Sequence, residues 1–387
     1  MYKVQTLNKI SKYGTDLFTK NFECADGVEN PDAILLRSFN MHESTLPESL
    51  KAVARAGAGT NNIPIDKCSE KGIVVMNTPG ANANAVKELV LLGMLLASRN
   101  AYDGITWAKT LAGKGSEVKG LVEKGKSNYA GSEILGKNLA VIGLGAIGVK
   151  IANDAAALGM NVSGYDPFIS VTSAWKISNC VKYSSDIDSI LADADYVSLN
   201  LPLIDSTKNF INADKFKVMK KGAVLLNFSR SELVDNTALI DALKSGIVGK
   251  YVTDFPTDEV LTLENVIPIP HLGASTEEAE DNCAIMAVNQ IMDYLENGNI
   301  TNSVNFPDCA SEKKGLKRIT IANKNIPNII GQITPILAGA NININEYINK
   351  SQDQYAYNII DINSEIDNAT IDKLKNIEGV VMVRVLG

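Results

Sequence analysis

The sequence has few histidines, no paired cysteines and no long apolar runs, and each shortage excludes a class of protein. Only His42 and His271 occur in 387 residues, so histidine-based catalysis has two candidates. The five cysteines are widely spaced with no C-x-x-C pair, which argues against a disulfide framework and a zinc site. No apolar run approaches the roughly 20 residues that span a bilayer, and the first residues lack a signal-peptide core. We therefore expect a cytoplasmic protein that binds no metal.

The charge balance is acidic, with 37 Lys+Arg against 44 Asp+Glu and a net charge of −7. This sign disfavours nucleic acid and anionic membrane as partners, whereas local basic side chains can still bind a small anion in a cleft. Hydrophobic residues make up 45% of the chain, enough for a large core. The length predicts two to three domains, at roughly 150 residues each, and we expect three.

Alternation of short apolar runs with helical stretches predicts an α/β protein. Residues 1–88 follow this pattern, and within them TLPESLKAVARAG predicts a helix over 45–57. Between 138 and 271 the continuous apolar runs predict a parallel sheet covered by helices, a doubly wound domain. Its predicted strands are NLAVIG (138–143), NVSGYD (161–166), YVSLNL (196–201), AVLLNF (223–228) and GKYVTDF (249–255).

The remainder of the chain predicts a helix, a connection and a small domain. An amphipathic pattern over 275–298 predicts a long helix. The polar stretch 299–316 has the composition of a linker. The last 70 residues read strand, helix, strand, strand, helix, strand, which is the order of a ferredoxin-like βαββαβ unit.

A glycine-rich run directly after a predicted strand indicates a dinucleotide site. Gly143, Gly145 and Gly148 form G-x-G-x-x-G at the start of a predicted helix, whose free N–H groups favour a pyrophosphate. Asp166 ends the next predicted strand, where a carboxylate accepts hydrogen bonds from an adenosine ribose and repels a 2′-phosphate. The combination predicts NAD rather than NADP.

Charged residues that follow the carboxyl ends of the later strands indicate a catalytic edge. They are Arg230, the pair Asp258 and Glu259, and His271. Ligands of open α/β sheets bind at this edge. Oxidation of a 2-hydroxy acid requires a proton acceptor, a carboxylate that orients it, and a cation for the substrate, and these residue types fill the three roles.

The chain resembles the D-isomer-specific 2-hydroxyacid dehydrogenases over roughly residues 30–300. The resemblance rests on AVIGLGAIG, GYDP, DYVSLNLPL, GAVLLNFSRSELVD and PHLGASTEEAE. With the tail included, the chain resembles members that carry a C-terminal ACT domain, an amino-acid-sensing module. The fold so implied is a Rossmann-type doubly wound sheet inserted in a flavodoxin-like substrate domain, followed by the ACT domain. The implied boundaries are 1–88 with 272–300 for the substrate domain, 89–271 for the NAD-binding domain, 301–316 for a linker and 317–387 for the ACT domain.

The resemblance also implies roles for individual residues. Arg230 binds the substrate and His271 is the acid/base. The family usually has a glutamate where this chain has Asp258, so we assign the third catalytic role to Asp258, with Glu259 as the alternative. Further cofactor contacts implied are Ala146, Ile147, Phe228, Ser229, Arg230, Asp254, His271, Gly273 and Ala274.

Substrate and effector residues follow from the same resemblance. The implied substrate side consists of Arg37, Ser38, Ala58, Gly59 and Asn82. Bacterial members carry an arginine where this chain has Asn84, and we predict that Lys87 supplies the missing charge. In the tail, Asn325 and Asn343 match two asparagines that bind L-serine in the family, whereas Asn323 replaces a histidine; the alternative role of the tail is oligomerisation alone.

The activity implied by the resemblance is NAD-dependent oxidation of 3-phospho-D-glycerate to 3-phosphohydroxypyruvate, the first step of L-serine biosynthesis. The expected partners are therefore a small phosphorylated 2-hydroxy acid, L-serine as effector, and a second or further copies in a homodimer or homotetramer. The alternatives are a glyoxylate or hydroxypyruvate reductase of the same family, an NAD-sensing corepressor-like binding protein, and an amino-acid-binding regulator with an inactive dehydrogenase domain.

Overall fold

The computed structural model describes residues 1–387 and divides them into two compact units. One unit comprises residues 1–81 and 277–387, and the other comprises residues 82–276. The division of these units by function stays a prediction. No helix is both long and apolar enough to cross a membrane.

The N-terminal part of the first unit is a five-stranded parallel sheet. Its elements are β1 (Tyr2–Leu7), α1 (Lys12–Thr15), β2 (Phe22–Ala25), β3 (Ala33–Leu36), β4 (Ala52–Arg55), α2 (Ile65–Glu70) and β5 (Val74–Met76). The strand order β2-β1-β3-β4-β5 is flavodoxin-like, as predicted. Alternate residues of β3 enter two different cores, Leu35 on one face and Ile34 with Leu36 on the other. Burial on both faces explains why these strands are continuous apolar runs.

The helix predicted over 45–57 is wrong. Residues 45–51 form no regular element, and Ala52–Arg55 is the strand β4, which pairs with β3 and β5. Ala52, Val53 and Ala54 are fully buried. Alanine favours a helix, but tertiary pairing of this segment between two strands overrides that weak preference.

The second unit is a seven-stranded parallel sheet with helices. Its elements are α3 (Ala83–Ser98), α4 (Ala101–Lys109), α5 (Val118–Gly125), β6 (Asn138–Ile142), α6 (Ala146–Ala157), β7 (Asn161–Tyr165), α7 (Val171–Ala174), β8 (Lys182–Tyr183), α8 (Ile187–Asp193), β9 (Tyr196–Leu199), α9 (Ala213–Val218), β10 (Ala223–Asn227), α10 (Asn236–Lys244), β11 (Val248–Thr253), α11 (Asp258–Leu261) and β12 (Val266–Pro268). Three 3₁₀ turns lie at Gly115–Glu117, Lys126–Tyr129 and Ser231–Leu233. The strand order β12-β11-β10-β9-β6-β7-β8 confirms the predicted doubly wound domain.

After this unit the chain returns to the first sheet. Helix α12 (Glu277–Asn297) places Ala287, Val288 and Ile291 in the same core cluster as Leu35 of β3. The following segment 299–316, whose composition is that of a linker, is itself packed: Phe306 is fully buried, and the Asn305 side chain bonds the backbone of Val75 and Ile73 at 2.9 Å each.

The C-terminal elements confirm the βαββαβ order. They are β13 (Lys317–Lys324), α13 (Ile329–Gly339), β14 (Ile344–Gln352), β15 (Tyr355–Ile362), α14 (Asn368–Lys375) and β16 (Val380–Leu386). The antiparallel sheet has the order β14-β15-β13-β16. One face packs on α13 and α14 through residues such as Ile321 and Ile360. The other face contributes Ala322, Tyr357 and Ile359 to the core cluster that contains α12 and the first sheet.

Polar anchors reinforce this second contact. Arg384 donates to the carbonyls of Tyr294 and Leu295 near the end of α12, and its guanidinium lies 4.6 Å from the centroid of the Tyr294 ring. The Tyr357 hydroxyl donates to the Gly298 carbonyl at 2.8 Å. Hydrogen bonds therefore join the sheet of the small domain to the carboxyl end of α12.

Candidate active site

The three glycines of the motif lie after β6 and in the first turn of α6, and they differ in the space around them. Gly143 has φ +91°, and a Cβ there would lie 2.4 Å from the Asn200 carbonyl oxygen. A Cβ at Gly148 would lie 1.9 Å from the Gly143 carbonyl oxygen. At Gly145 a Cβ would meet no atom within 4 Å. The first and third glycines are thus required by packing, whereas the second leaves open space at the start of α6, where a pyrophosphate fits.

Asp166 is fixed beside this loop. It follows β7, and its carboxylate accepts hydrogen bonds from the backbone N–H groups of Leu144 at 2.8 Å and Phe168 at 2.9 Å. The side chain is half-buried, so lone pairs of both oxygens remain for another donor. Ala146 and Ile147 open α6, where backbone N–H groups have no partner within the helix. The loop and Asp166 together fit NAD.

We expect Gly145→Ala and Gly148→Ala to separate cofactor binding from stability. Gly145→Ala should weaken NADH binding by about tenfold or more, because the new methyl group enters the open space, while the free energy of unfolding changes by about 1 kcal/mol or less. Gly148→Ala should lower the free energy of unfolding by about 1–3 kcal/mol, because its methyl group meets backbone. NADH fluorescence titration and urea unfolding measure the two effects. Equal destabilisation by both variants would contradict the distinction.

Arg230 follows β10, Phe255 follows β11 and His271 follows β12, and the Phe255 ring contacts both of the other side chains. The Arg230 guanidinium carbon lies 5.3 Å from the centroid of Phe255, and the His271 ring centroid lies 4.4 Å from that of Phe255. Arg230 also donates to the Ser229 carbonyl at 2.6 Å, and the Ser229 hydroxyl donates to the Leu199 carbonyl at 2.9 Å. The sequence analysis missed Phe255, although it stands in the same DFPTDE run as the predicted carboxylates.

Asp254, which immediately follows β11, is a buried carboxylate with one unpaired oxygen. Its side chain is 2% exposed. Oδ2 accepts a hydrogen bond from the Gly273 N–H at 3.3 Å, whereas Oδ1 is buried and has no partner. Burial raises the pKa of Asp254, and the charges of His271 and Arg230 act in the opposite direction. Asp254 therefore lies within electrostatic reach of both catalytic candidates.

The two carboxylates predicted for catalysis lie at the start of α11, and both are exposed. Glu259 accepts a hydrogen bond from the Asn236 side chain at 3.2 Å. Backbone hydrogen bonding and the Thr257 hydroxyl lower the pKa of Glu259. Neither Asp258 nor Glu259 is hydrogen-bonded to His271, so the catalytic role of either stays a prediction.

Within the first unit, Arg37 lies just after β3 and forms an ion pair with Glu280 of α12. Arg55, which the sequence analysis missed, ends β4, and its Nε donates to the Arg37 carbonyl at 2.8 Å while Nη1 contacts the Gly59 carbonyl. The Ala58 carbonyl accepts from the Asn77 side chain at 2.6 Å. Arg55 thus ties together two loops that carry predicted substrate residues. Ser38 lies beside Arg37 and donates its N–H to the Asn8 side chain at 3.1 Å.

In the second unit, Asn82 precedes α3 and Lys87 lies within that helix. The Lys87 ammonium is 2.7 Å from the Asp154 carboxylate of α6, and the Lys87 side chain is 12% exposed. Asn84 donates to Glu88 at 2.8 Å. Asp154 therefore neutralises the charge that was predicted to bind phosphate.

We expect Lys87→Met to leave the KM for a phosphorylated substrate within about twofold and to lower the free energy of unfolding by about 1 kcal/mol or less, as for a partly exposed ion pair. Asp154→Asn, which removes the same ion pair but keeps the ammonium, is the matched control. Steady-state kinetics and urea unfolding test both. A several-fold rise in KM for Lys87→Met alone would establish the phosphate role instead.

The three predicted effector residues differ in their surroundings. Asn323 is 1% exposed, donates to the Lys324 carbonyl at 2.6 Å and accepts from Asn358 at 2.7 Å. Asn325 donates to the Asp353 carbonyl at 3.1 Å, and Asn343 is exposed before β14. Asn323 is thus held in the interior of the small domain.

The second unit defines a protein of the dinucleotide-binding Rossmann class. The strand order places the glycine loop at β6, next to the point where the order reverses, which is where such sheets bind their cofactor. Residues 93–273 match the family model described as D-isomer specific 2-hydroxyacid dehydrogenase, NAD binding domain. The chain belongs to the D-isomer-specific 2-hydroxyacid dehydrogenase family, and NAD is its cofactor.

Individual relatives support this membership. The chain is 35% identical over 321 residues to a D-3-phosphoglycerate dehydrogenase of Methanocaldococcus jannaschii, covering 80% of this chain but 59% of that relative. It is 30% identical to D-3-phosphoglycerate dehydrogenase of Haemophilus influenzae, covering 94% of this chain and 88% of the relative. A hydroxypyruvate reductase of Thermotoga maritima is 36% identical over 69% of this chain and 86% of the relative.

Among solved structures, the NAD⁺-bound 3-phosphoglycerate dehydrogenase of Entamoeba histolytica is similar with a TM-score of 0.61 and 27% identity. The match covers 79% of this chain and 98% of that structure.

Proposed function

We propose that this chain oxidises 3-phospho-D-glycerate to 3-phosphohydroxypyruvate, the first step of L-serine biosynthesis. One observation carries the proposal. Similarity to a D-3-phosphoglycerate dehydrogenase extends over 94% of the chain, whereas similarity to a hydroxypyruvate reductase of higher identity extends over 69%. The longer match reaches into the C-terminal βαββαβ domain, which the reaction itself does not require.

In this proposal the residues of the chain orient the substrate and move one proton. Arg230 binds the substrate carboxylate and the oxygen on C2, for which its planar guanidinium is suited. His271 accepts the proton of the C2 hydroxyl. The sequence analysis assigns the orienting carboxylate to Asp258, with Glu259 as the alternative. The glycine loop and Asp166 would hold NAD, which would supply the hydride acceptor for C2.

The remaining predicted contacts belong to the same proposal. Phe228, Ser229, Gly273 and Ala274 line the cofactor, and Arg37, Ser38, Asn82 and the backbone of Ala58 and Gly59 hold the phosphorylated substrate. In the tail, L-serine would bind through Asn325 and Asn343 in a homodimer or homotetramer. The internal hydrogen bonds of Asn323 leave that residue poorly placed to contact the effector.

Substrate preference tests the proposal directly. NADH oxidation is measured with phosphohydroxypyruvate, hydroxypyruvate and glyoxylate, each with and without L-serine. A strong preference for the phosphorylated keto acid is expected. Equal or faster turnover of the unphosphorylated acids would overturn the proposal in favour of the rival hydroxypyruvate or glyoxylate reductase, which similarity to the Thermotoga maritima enzyme favours. Negligible turnover of all three would favour a corepressor-like binding protein.

A further inference from the structure

Three polar side chains, here called the polar chain, lie buried between β10 and β11: Asn227, Tyr251 and Thr253. Asn227 ends β10, and Thr253 ends β11 opposite Asn227 in the strand register. Asn227 and Thr253 are fully buried, and Tyr251 is 3% exposed. Because a polar group that is buried without a hydrogen bond costs free energy, each of these side chains is expected to have partners.

Both polar atoms of the Asn227 side chain are hydrogen-bonded. Nδ2 donates to the Arg230 carbonyl at 2.8 Å and to the Tyr251 hydroxyl at 3.2 Å. Oδ1 accepts from the Ser229 N–H at 3.2 Å. The Asn227 side chain therefore holds the backbone of the loop that carries Arg230, and it connects this loop to β11.

The other end of the polar chain reaches Phe255. Tyr251 is hydrogen-bonded to Thr253 as well as to Asn227; burial raises the pKa of Tyr251, and these two hydrogen bonds act in the opposite direction. The Thr253 hydroxyl accepts from the Phe255 N–H at 3.0 Å. Buried side chains thus join the backbone at Arg230 to the backbone at Phe255.

The side chains of these two joined residues meet at the candidate active site. The Arg230 guanidinium carbon lies 5.3 Å from the Phe255 centroid, and the His271 ring centroid lies 4.4 Å from it. Arg230 and Phe255 follow different strands, so their separation depends on contacts between the ends of β10 and β11. Misplacement of a reacting group by about 1 Å can cost about 100-fold in rate, so a rigid connection here affects turnover.

We propose that the polar chain positions Arg230 against Phe255, which makes Asn227 and Tyr251 positioning residues for the 2-hydroxyacid dehydrogenase reaction. Both act on the substrate through Arg230, so the inference rests on the proposed role of Arg230 in substrate binding. Hydrogen bonds in the low-dielectric interior are strong and costly to break, which suits them to hold a loop in one place.

Substitutions of similar shape remove these hydrogen bonds. Asn227→Leu should lower kcat/KM for the preferred 2-keto acid by about tenfold or more, and Tyr251→Phe by about threefold or more, measured as NADH oxidation. Ser198→Ala is the matched control, because Ser198 is 1% exposed in the neighbouring strand β9 but its hydroxyl accepts from the Asn200 side chain rather than from the Arg230 loop. The control should keep kcat/KM within about twofold of the wild type.

A double-mutant cycle separates positioning of Arg230 from a general effect on the sheet. Added to Arg230→Met, Asn227→Leu should lower kcat/KM by less than about twofold, because the side chain that it positions is already replaced. A further loss as large as in the wild-type background would overturn the inference and assign Asn227 to the stability of the sheet.

Crystal structures of the variants and the wild type test the geometry without catalysis. In Asn227→Leu the distance between the Arg230 guanidinium and the Phe255 ring should increase by about 0.5 Å or more, and an unchanged distance overturns the inference. If Asn227→Leu does not fold, Tyr251→Phe replaces it in the cycle and in the crystals, with the same criteria. A wild type that reduces none of the keto acids would contradict the proposed function, and the crystal structures would still decide the inference.

Discussion

Replacing Arg318 by methionine is expected to lower the free energy of unfolding by about 3–5 kcal/mol, because it leaves a buried carboxylate without its cation. Arg318 and Asp361 are both fully buried and form a bidentate pair, with Nε to Oδ1 at 2.7 Å and Nη2 to Oδ2 at 2.9 Å. Arg318 also donates to the carbonyls of Asn297 and Ser311. The substitution therefore removes several hydrogen bonds together with the charge. Urea unfolding at fixed protein concentration measures the loss.

An exposed ion pair of the same small domain provides the control. Lys375 lies 3.3 Å from Asp372, and their side chains are 54% and 65% exposed. Lys375→Met should change the free energy of unfolding by about 0.5 kcal/mol or less. The double variant Arg318→Met/Asp361→Asn should recover part of the loss, since no uncompensated charge remains. A loss below about 1 kcal/mol for Arg318→Met alone would mean that water reaches Asp361.

The same pair makes stability depend on pH. Burial alone would raise the pKa of Asp361, but hydrogen bonds from Arg318 and from the Lys314 N–H outweigh it and hold the pKa below its usual value. A lowered pKa in the folded state stabilises the fold above the pKa of the unfolded chain, about 3.9, and the contribution is lost as pH falls through the folded value. The stability difference between wild type and Arg318→Met should therefore narrow below about pH 4.

His271→Ala is expected to lower kcat by about 10²–10⁴-fold, the usual effect of removing a general base. His271 packs against the Phe255 ring, which the Arg230 guanidinium also contacts. Its replacement by alanine therefore removes the proton acceptor and leaves the guanidinium in place. The effect is measured as NADH oxidation at saturating keto acid, over a range of pH. In the wild type the rate should depend on the ionisation of one group that the variant lacks.

The second histidine is the matched control for this prediction. His42 lies in the first unit, is exposed, and its Nε2 is 3.0 Å from the Asn61 carbonyl. His42→Ala should retain wild-type turnover. A fall in kcat of less than tenfold for His271→Ala would show that another group accepts the proton.

The positions of strands could be predicted from the sequence where a strand is buried on both faces. The five predicted strands of the second unit lie within two residues of β6, β7, β9, β10 and β11. By contrast, β8 has two residues and β12 three, which is too short for a periodic signal. The helix predicted over 45–57 failed because the helix preference of alanine is weak, and pairing with β3 and β5 overrides it.

The glycine loop could be predicted for a different reason. Its residues lie within one short run of sequence, and local geometry requires a glycine at Gly143 and Gly148. The contact between Phe255 and the His271 ring could not be predicted, because it forms only when the chain after β11 and the chain after β12 are brought together by the fold. The pairing of Lys87 with Asp154 depends in the same way on how α3 packs against α6.

The packing of the small C-terminal domain against α12 limits which C-terminal domains of relatives could replace it. Its sheet supplies Ala322, Tyr357 and Ile359 to a core shared with α12, and Arg384 and Tyr357 bond the carbonyls at the end of that helix. Truncation at residue 298 would leave Tyr294 and its neighbours facing water. A C-terminal domain taken from a relative would need side chains that complement those of α12 at this contact. We therefore expect the C-terminal domain and the last turns of α12 to be inherited together.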